Sequence, residues 1–469
     1  MPNSEIDRCR YENSVRVFTS QADGVPSDVD AGGVGLGCEH IDNGVQQLTR
    51  MDRRSQRVGM FLMLFAAMGI GTAARAGDWP QILGPHRNGV SDGERLAESW
   101  PEVGPPVLWS RAVGPGLAGA AVVKGTGVLF HRAGNNEVIE AFDPATGEAL
   151  WKDSSPTTFQ PQVGNEDGPL CVPTIHVDRV VTYGAQGVLT CCNLSTGARL
   201  WQRDTHREFE ALEGYFGAGS SPLIWEDRVI VNVGGHKSNA GVVAFALNDG
   251  RTLWNVTDER ASYAAPVAAA FDGQPTIVCL TRMKLLGLDP ATGAIRFELP
   301  FGKLGPTVNA AAPVLVNRRL FLTASYGIGA VWAEVSADGA KELYRRRDVM
   351  SSQYTTPVPF EGKLYGIDGR QDGPPADLKC IDPLTGKTHW TQERFGYATL
   401  VRGGDKLLIV TTEGELVLAR PNPDAFQPLA RFRLTSKEVR ALPALAGGCL
   451  YVRDSNRLYC IDVGPVSTP

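Results

Sequence analysis

Two glycine-containing motifs have the spacing of phosphate-binding loops. Gly114, Gly116 and Gly119 fit the G-x-G-x-x-G pattern of dinucleotide-binding turns. A strand-like run rather than a helix follows them, so the helix N-terminus that would bind a pyrophosphate is missing. Gly386-Lys387-Thr388 matches the end of a phosphate loop, but the first glycine of that loop would have to stand where Ile381 is found. We therefore expect neither motif to bind a nucleotide.

Six polar loops carry the side chains best suited to binding a ligand, and five of the six contain Lys or Arg. Guanidinium, imidazole and amide groups recognise anions and polar ligands. The candidate binding residues are Arg132, Asn135, Asn136, His236, Lys237, Arg282, Tyr326, Asp368, Arg370 and Arg453. A simply solvated set of loops is the alternative interpretation. We identify no catalytic residue and no metal ligand, since the HExxH, GxSxG and CxxC patterns are absent.

A repeated phrase shows which elements position these loops. It runs from Ala141 to Trp151 and recurs from Cys191 to Trp201, Ala244 to Trp254, Gly287 to Phe297 and Cys380 to Trp390. The turn glycines are Gly147, Gly197, Gly250, Gly293, Gly339 and Gly386, with successive spacings of 50, 53, 43, 46 and 47 residues. This is the period of a four-stranded propeller blade.

Each part of the phrase has a physical role. Asp143, Asp289 and Asp382 begin a turn in which the aspartate accepts backbone hydrogen bonds and the glycine adopts a positive φ. The aromatic that follows is expected to end the outer strand and cover the seam between blades. The expected seam tryptophans are Trp109, Trp151, Trp201, Trp254 and Trp390. Residues two positions before the aspartate are small, which predicts a packing role for Cys191, Cys380 and Cys460.

The strand count predicts an all-β propeller of eight four-stranded antiparallel blades. Seven complete units follow Leu117, and the C-terminus then supplies only three strands, the last from Leu458 to Asp462. The run Val107 to Ser110 matches an outer strand without a blade, so we expect it to complete the C-terminal blade and close the ring. Seven blades is the alternative, because the unit from Leu400 to Phe432 lacks the Thr-Gly turn.

The phrase resembles the pyrroloquinoline-quinone-like (PQQ-like) propeller repeat, close to Ala-x-Asp-x-x-Thr-Gly-x-x-x-Trp, over residues 105–463. The resemblance implies one of two functions. Some relatives are quinone-dependent alcohol or sugar dehydrogenases, and others are non-enzymatic propellers such as the BamB-like outer-membrane assembly factor. Because the repeat encodes blade packing, it does not separate them.

A dehydrogenase of this family would imply calcium-binding Glu and Asn oxygens, an Asp base, and two adjacent cysteines joined in a ring over the quinone. Cys191 and Cys192 are adjacent, but they occupy the phrase positions of Ala141 and Phe142, which favours packing. No residue stands in a motif specific for a calcium ligand or the base. We therefore expect a binding or assembly scaffold without a cofactor; a dehydrogenase that binds PQQ with calcium is the alternative.

The N-terminal residues predict export. Arg53, Arg54 and Arg57 precede an apolar run at 58–70, and Ala74-Arg75-Ala76 has the pattern of a signal-peptidase site. We predict a signal peptide at 51–76 and a periplasmic or envelope location. The remaining expected regions are 1–50 (a disordered leader or a mis-assigned start), 77–104 (an extension), 105–463 (the propeller) and 464–469 (a tail).

Composition limits the partners. The chain has 469 residues, 43% hydrophobic and 21% charged, as in a globular protein, and a net charge of -5 that disfavours nucleic acid. We expect a monomer without a membrane span after processing, which binds an envelope protein or a small anionic or glycan ligand. The connection from Phe209 to Phe216, with Tyr215, is expected to form an aromatic lid, a protein contact or a channel plug.

Overall fold

The computed structural model describes residues 77–91, 93–305 and 307–465. The predicted leader and signal peptide lie outside the described residues. Blade 1 consists of β3 (Ala121–Val123), β4 (Thr126–Ala133), β5 (Asn136–Phe142) and β6 (Ala149–Pro156). Blade 2 consists of β7 (Thr174–His176), β8 (Arg179–Tyr183), β9 (Val188–Asn193) and β10 (Arg199–Asp204). The short helix α1 (Thr205–Glu208) follows it.

Blades 3 to 5 repeat the same order from inner to outer strand. Blade 3 consists of β11 (Leu223–Trp225), β12 (Arg228–Gly235), β13 (Ala240–Ala246) and β14 (Thr252–Val256). Blade 4 consists of β15 (Val267–Phe271), β16 (Gln274–Leu280), β17 (Lys284–Leu288) and β18 (Ile295–Pro300). Blade 5 consists of β19 (Val314–Val316), β20 (Arg319–Ala324), β21 (Gly329–Ser336) and β22 (Gly339–Arg346).

The last three blades complete the ring, and two of them include N-terminal strands. Blade 6 consists of β23 (Val358–Phe360), β24 (Lys363–Asp368), β25 (Asp377–Asp382) and β26 (Lys387–Gln392). Blade 7 consists of β27 (Ala398–Gly403), β28 (Lys406–Thr411), β29 (Glu415–Arg420) and β30 (Gln427–Arg433), extended by β1 (Val90–Ser91). Blade 8 consists of β31 (Ala444–Ala446), β32 (Cys449–Arg453), β33 (Arg457–Asp462) and β2 (Val107–Ala112).

Ring closure by an N-terminal strand is confirmed. Strand β2 pairs antiparallel with β33, with Trp109 opposite Cys460 and Ser110 opposite Tyr459. The prediction of eight blades is therefore confirmed, and the seven-blade alternative is wrong. Blade 7 keeps its turn without Thr-Gly because the Asn422 side chain accepts a hydrogen bond from the Asp424 amide at 2.8 Å.

In six of the eight blades a seam aromatic forms a hydrogen bond to the next blade. The indole N–H of Trp151 donates to the Leu194 carbonyl at 2.7 Å, and that of Trp201 donates to the Leu247 carbonyl at 2.8 Å. Equivalent bonds are formed by Trp109, Trp254, Tyr344 and Trp390. Trp151 lies near the beginning of β6, so the expectation that the aromatic ends the outer strand is wrong. A bulge turns the ring toward the neighbouring blade at this point.

The small residues of the phrase lie in the cores between blades. Cys191, Cys380 and Cys460 are buried, and all seven cysteines of the described residues are free thiols. Gly287 faces the Phe297 ring, whose nearest atom would be 2.2 Å from an added Cβ. Phe297 belongs to the adjacent outer strand of the same blade, so only a small residue fits beneath its ring.

The segment 77–104, which the sequence indicated only as an extension, connects the inner strands. It contacts the inner strand, or residues directly beside it, in every blade, through Trp79 with Val122, Pro80 with Ile175, Arg87 with Pro222 and Pro266, Leu83 with Ala312, Val90 with Val358 and Arg402, and Glu94 with Gly447. This segment, which we call the axial segment, is part of the core.

Candidate functional site

Loops between second and third strands share one end of the propeller with the connections between blades. The strands within each sheet alternate in direction, so these loops lie opposite the repeat turns. We call this end the mouth. The candidate binding residues of the sequence analysis lie in different environments at this end. Some are buried, some form a polar cluster, some lie in exposed turns, and one lines a cavity.

Arg132 and Arg453 are buried and hold the backbone together. Arg132 donates to the carbonyls of Phe159 and Asp167 at 2.7 and 2.8 Å. Arg453 donates to the carbonyl of Ala118 at 3.0 Å, which ties blade 8 to the segment that precedes β3 of blade 1. Burial lowers the pKa of Arg453 to about 10. The hydrogen bonds that both guanidinium groups donate therefore serve the fold.

Tyr326, Asp368 and Arg370 come together between blades 5 and 6. The Arg370 guanidinium carbon lies 4.6 Å from the centre of the Tyr326 ring, a cation–π contact. Asp368 accepts a hydrogen bond from the Ser351 amide at 2.7 Å and pairs with Lys379. This group is a braced polar cluster at the mouth, with Arg370 partly accessible.

The other candidates lie apart. Asn135 and Asn136 form the exposed turn between β4 and β5, and Lys237 is exposed in the turn between β12 and β13, where His236 is half-buried. The structure therefore does not bring all the predicted residues into one site. Their common location is the mouth, and Arg282 alone among them lines the large cavity over blades 3 and 4.

A cavity of about 940 Å³ opens at the mouth over blades 3 and 4. The connections that follow blades 1 to 4 and the turn between β16 and β17 form its walls. Its lining includes the side chains of His206, Leu212, Glu213, Tyr215, Asp258, Glu259, Arg260, Tyr263, Arg282 and Leu304. The sequence singled out the connection with Tyr215, but the other connections have no repeat and gave no signal.

Arg282 and Glu259 support the cavity wall. Arg282 donates to the Gly305 carbonyl at 2.9 Å and to the Thr307 hydroxyl at 2.8 Å, and burial lowers its pKa. Glu259 accepts hydrogen bonds from the Met283 amide at 2.9 Å and the Thr281 hydroxyl at 3.0 Å. These two charged groups fix neighbouring connections, through Oε2 of Glu259 and one terminal guanidinium nitrogen of Arg282.

Asp258 and Arg260 are differently placed. Both are exposed on the connection between blades 3 and 4, and neither side chain has a hydrogen-bond or ion-pair partner among the residues that the structure describes. They supply an acceptor and a donor, separated by one residue, to whatever enters the cavity.

Two tyrosines flank the same opening. The Tyr263 hydroxyl accepts a hydrogen bond from the Phe216 amide at 3.1 Å, and burial raises the pKa of Tyr263 to about 12. Phe216 packs edge-on against Tyr263 with ring centres 5.9 Å apart. Tyr215, next in the chain, is 37% exposed. The structure thus fixes this connection while leaving one aromatic side chain accessible.

The arrangement that a quinone dehydrogenase would imply does not match these residues. Consecutive residues of β9 face opposite sides of the blade, so Cys191 packs with blade 3 and Cys192 with blade 1. Adjacent cysteines buried in two separate cores cannot form a ring over a cofactor in the channel. Among residues 77–465 as described, no group of three or more His, Cys, Asp or Glu side chains is arranged to hold a metal ion.

The eight closed sheets, the repeat turns and the seam tryptophans define a PQQ-like eight-bladed β-propeller. The family model described as outer membrane protein assembly factor BamB matches residues 135–392, and the chain belongs to this family. No curated protein matches the chain by sequence.

Solved structures share the fold at low sequence identity. BamB from Moraxella catarrhalis is 17% identical with a TM-score of 0.54, covering 76% of this chain and 96% of that chain. A europium-containing methanol dehydrogenase is 12% identical with a TM-score of 0.59, covering 80% and 89%. The computationally designed Ika8 protein is 13% identical with a TM-score of 0.51, covering 79% and 100%. These similarities show the architecture alone.

The four-residue α1 is the one helix among the described residues. Within the part of the chain that the structure describes, no helix has the length and apolar character needed to cross a membrane.

Proposed function

We propose that this protein is an exported, non-catalytic propeller of the cell envelope that binds a protein or a small anionic or glycan ligand through its mouth. The observation that carries the proposal is the cavity over blades 3 and 4, where the side chains of Asp258, Arg260 and Tyr215 are accessible and form no hydrogen bond or ion pair with the described residues. Membership of the BamB family supports an envelope role.

The mouth is suited to binding because a rigid ring supports it. Seam tryptophans and the axial segment fix the blades, so the connections present their side chains without a large ordering cost on binding. Arg370, Lys237 and His236 lie on the same end and can extend the contact surface beyond the cavity.

A retention experiment tests the proposal. The protein is immobilised and exposed to a solubilised envelope fraction, in parallel with a mouth variant that combines Tyr215→Ala and Arg260→Glu. The matched control combines Leu343→Ala and Lys341→Glu on the outer strand β22, away from the mouth. We expect a component that the protein and the control retain and the mouth variant loses. Equal retention by all three proteins would refute mouth binding.

The dehydrogenase alternative has its own test. Titration of the purified protein with PQQ and Ca²⁺, followed by absorbance and dye-linked alcohol oxidation, is expected to give no bound spectrum and no turnover. Bound cofactor with turnover would overturn the non-catalytic assignment.

A further inference from the structure

We propose that the cavity over blades 3 and 4 binds a neutral oligosaccharide chain rather than an anion. This inference rests on the proposed function, because it names the chemical class of the ligand bound at the same mouth. Four features of the cavity carry it: its size, its charge balance, the pairing of donors with acceptors, and its aromatic side chains.

The cavity is large enough for a chain of sugar rings. Its volume of about 940 Å³ is at the upper end of the range typical of small-molecule sites. Leu212 and Leu304, which are 56% and 81% exposed, stand at its rim on different connections. An elongated ligand with apolar ring faces can pack against both.

The charges of the lining nearly cancel. Arg260 and Arg282 give +2, whereas Glu213, Asp258 and Glu259 give −3, for a sum of −1. Burial also lowers the pKa of His206, which keeps that imidazole neutral. A site with this balance gives no electrostatic advantage to an anion, which would approach the unpaired Asp258 carboxylate.

The accessible polar groups match hydroxyls. A carboxylate only accepts hydrogen bonds, a guanidinium only donates them, and a hydroxyl does both. Asp258 and Arg260 are separated by one residue, and their side chains have no hydrogen-bond or ion-pair partner among the described residues. Neighbouring hydroxyls of a sugar can therefore donate to Asp258 and accept from Arg260, and these bonds need no net ligand charge.

Tyr215 supplies a flat surface for a sugar ring. Its backbone is held because the backbone N–H of Gln162 donates to the Tyr215 carbonyl at 2.9 Å and the backbone N–H of Phe216 donates to the Tyr263 hydroxyl. The C–H face of a pyranose packs on an aromatic ring as other apolar groups do. The 37% exposed Tyr215 ring, carried on this held backbone, is therefore the side chain of the site best suited to pack against a sugar ring.

The cavity walls are less suited to binding an extended peptide. The residues lining the cavity belong to connections, turns, α1 and the strand β12, where Asn232 and Gly234 lie beyond the three residues that pair with β11. An extended peptide therefore has only the last residues of β12 to pair with, because the other described lining residues belong to no strand. The oligosaccharide is therefore the occupant that the observations favour.

Calorimetric titration tests the inference with cellohexaose, mannohexaose, chitohexaose and, as an anionic comparator, hexagalacturonate. We expect a neutral hexasaccharide to bind, with affinity unchanged between about 0.05 and 0.5 M NaCl because no ligand charge is screened. Tyr215→Ala and Asp258→Ala should each weaken binding by roughly tenfold. Lys237→Ala, at an exposed mouth position outside the lining, is the matched control and should bind normally.

The outcomes separate this inference from the proposed function. Unchanged thermal unfolding midpoints confirm that each variant is folded. Salt-sensitive binding of hexagalacturonate, stronger than that of every neutral chain and lost in Tyr215→Ala, would overturn the neutral ligand but leave mouth binding intact. No saccharide binding at millimolar concentration, with an envelope protein still retained through Tyr215, would also overturn only the inference. Failure of both experiments would overturn the proposed function as well.

Discussion

Two independent demands fix the turn glycine in the first four repeats, at Gly147, Gly197, Gly250 and Gly293. Gly197 has a φ of +72°, and a Cβ added there would lie 2.6 Å from the Trp151 ring of the preceding blade. The first demand is the conformation of the turn, and the second is the close approach of the ring. Together they explain why Thr-Gly and Trp recur as one phrase.

We predict that Gly197→Ala destabilises the protein more than a glycine substitution that introduces backbone strain alone. Gly125 has a φ of +78° with nothing within 4 Å of an added Cβ, so Gly125→Ala reports the conformational strain, about 1 kcal/mol. Gly197→Ala should lose roughly 1–3 kcal/mol more because the Trp151 ring must shift. Urea unfolding of the two variants measures the difference, and equal losses would contradict ring packing.

Glu140 forms the charged part of the seam between blades 8 and 1. It pairs with Arg111 of β2, lies 3.0 Å from His131 Nε2 and 3.4 Å from Lys152 Nζ. Burial opposes its ionisation, but hydrogen bonds from His131 and Arg111 prevail and lower the pKa of Glu140 to about 2. The stability that this carboxylate contributes is therefore present above its ordinary pKa and is lost as the pH falls toward 2.

We predict a pH-dependent effect of Glu140→Gln. Near neutral pH the variant should unfold more easily than the unmodified protein by roughly 2–3 kcal/mol, and the gap should shrink below about pH 4.5. Glu298→Gln, which breaks the exposed pair with Lys284, is the control and should cost under about 0.5 kcal/mol. Unfolding curves at several pH values decide the matter; a gap that stays constant from neutral to acid would be inconsistent with the ionised pair.

Single residues were only partly predictable from the sequence. The turn and seam residues follow from the repeat, since their roles are local and recur. Arg132 and Arg453 look like ligand-binding residues because a loop arginine has the same local sequence whether it faces solvent or carbonyl groups. The partner of Arg453, Ala118, is 335 residues away, and only the closed ring brings the two together.

At the scale of elements, the axial segment is the feature that the sequence did not reveal. It has no period, little regular structure and a single short strand, β1, parallel to β27. Its role depends on Arg87, which is 1% exposed and donates to the carbonyls of Ser221 and Pro266 at 3.3 and 2.9 Å, as well as to Pro222. These carbonyls precede the inner strands of blades 3 and 4.

We predict that Arg87→Met strongly destabilises the propeller. Burial lowers the pKa of Arg87 to about 9, yet its donors satisfy several buried carbonyls, which the variant would leave without partners at a cost of roughly 3–5 kcal/mol. Arg95→Met changes an exposed arginine of the same segment and should cost under about 0.5 kcal/mol. Thermal unfolding compares the two, and similar small losses would show that the segment does not hold the inner strands.

On the scale of the whole molecule, the blade count could be predicted and the cavity could not. The count of predicted strands required an outer strand from the N-terminus, because three C-terminal strands alone would leave an open sheet edge. The cavity depends on connections between blades, whose lengths and residues differ from one blade to the next. Repeats specify the ring, whereas the non-repeated connections specify what it binds.

The closure of the ring is tested most directly by hydrogen exchange, followed by mass spectrometry, on the unmodified protein. If β2 is the outer strand of blade 8, the amides of Ser110 to Ala112 should exchange as slowly as those of the outer strand β6, which belongs to an uninterrupted blade. Exchange of β2 at the rate of an exposed loop, while β6 stays protected, would contradict a ring closed by its N-terminal strand.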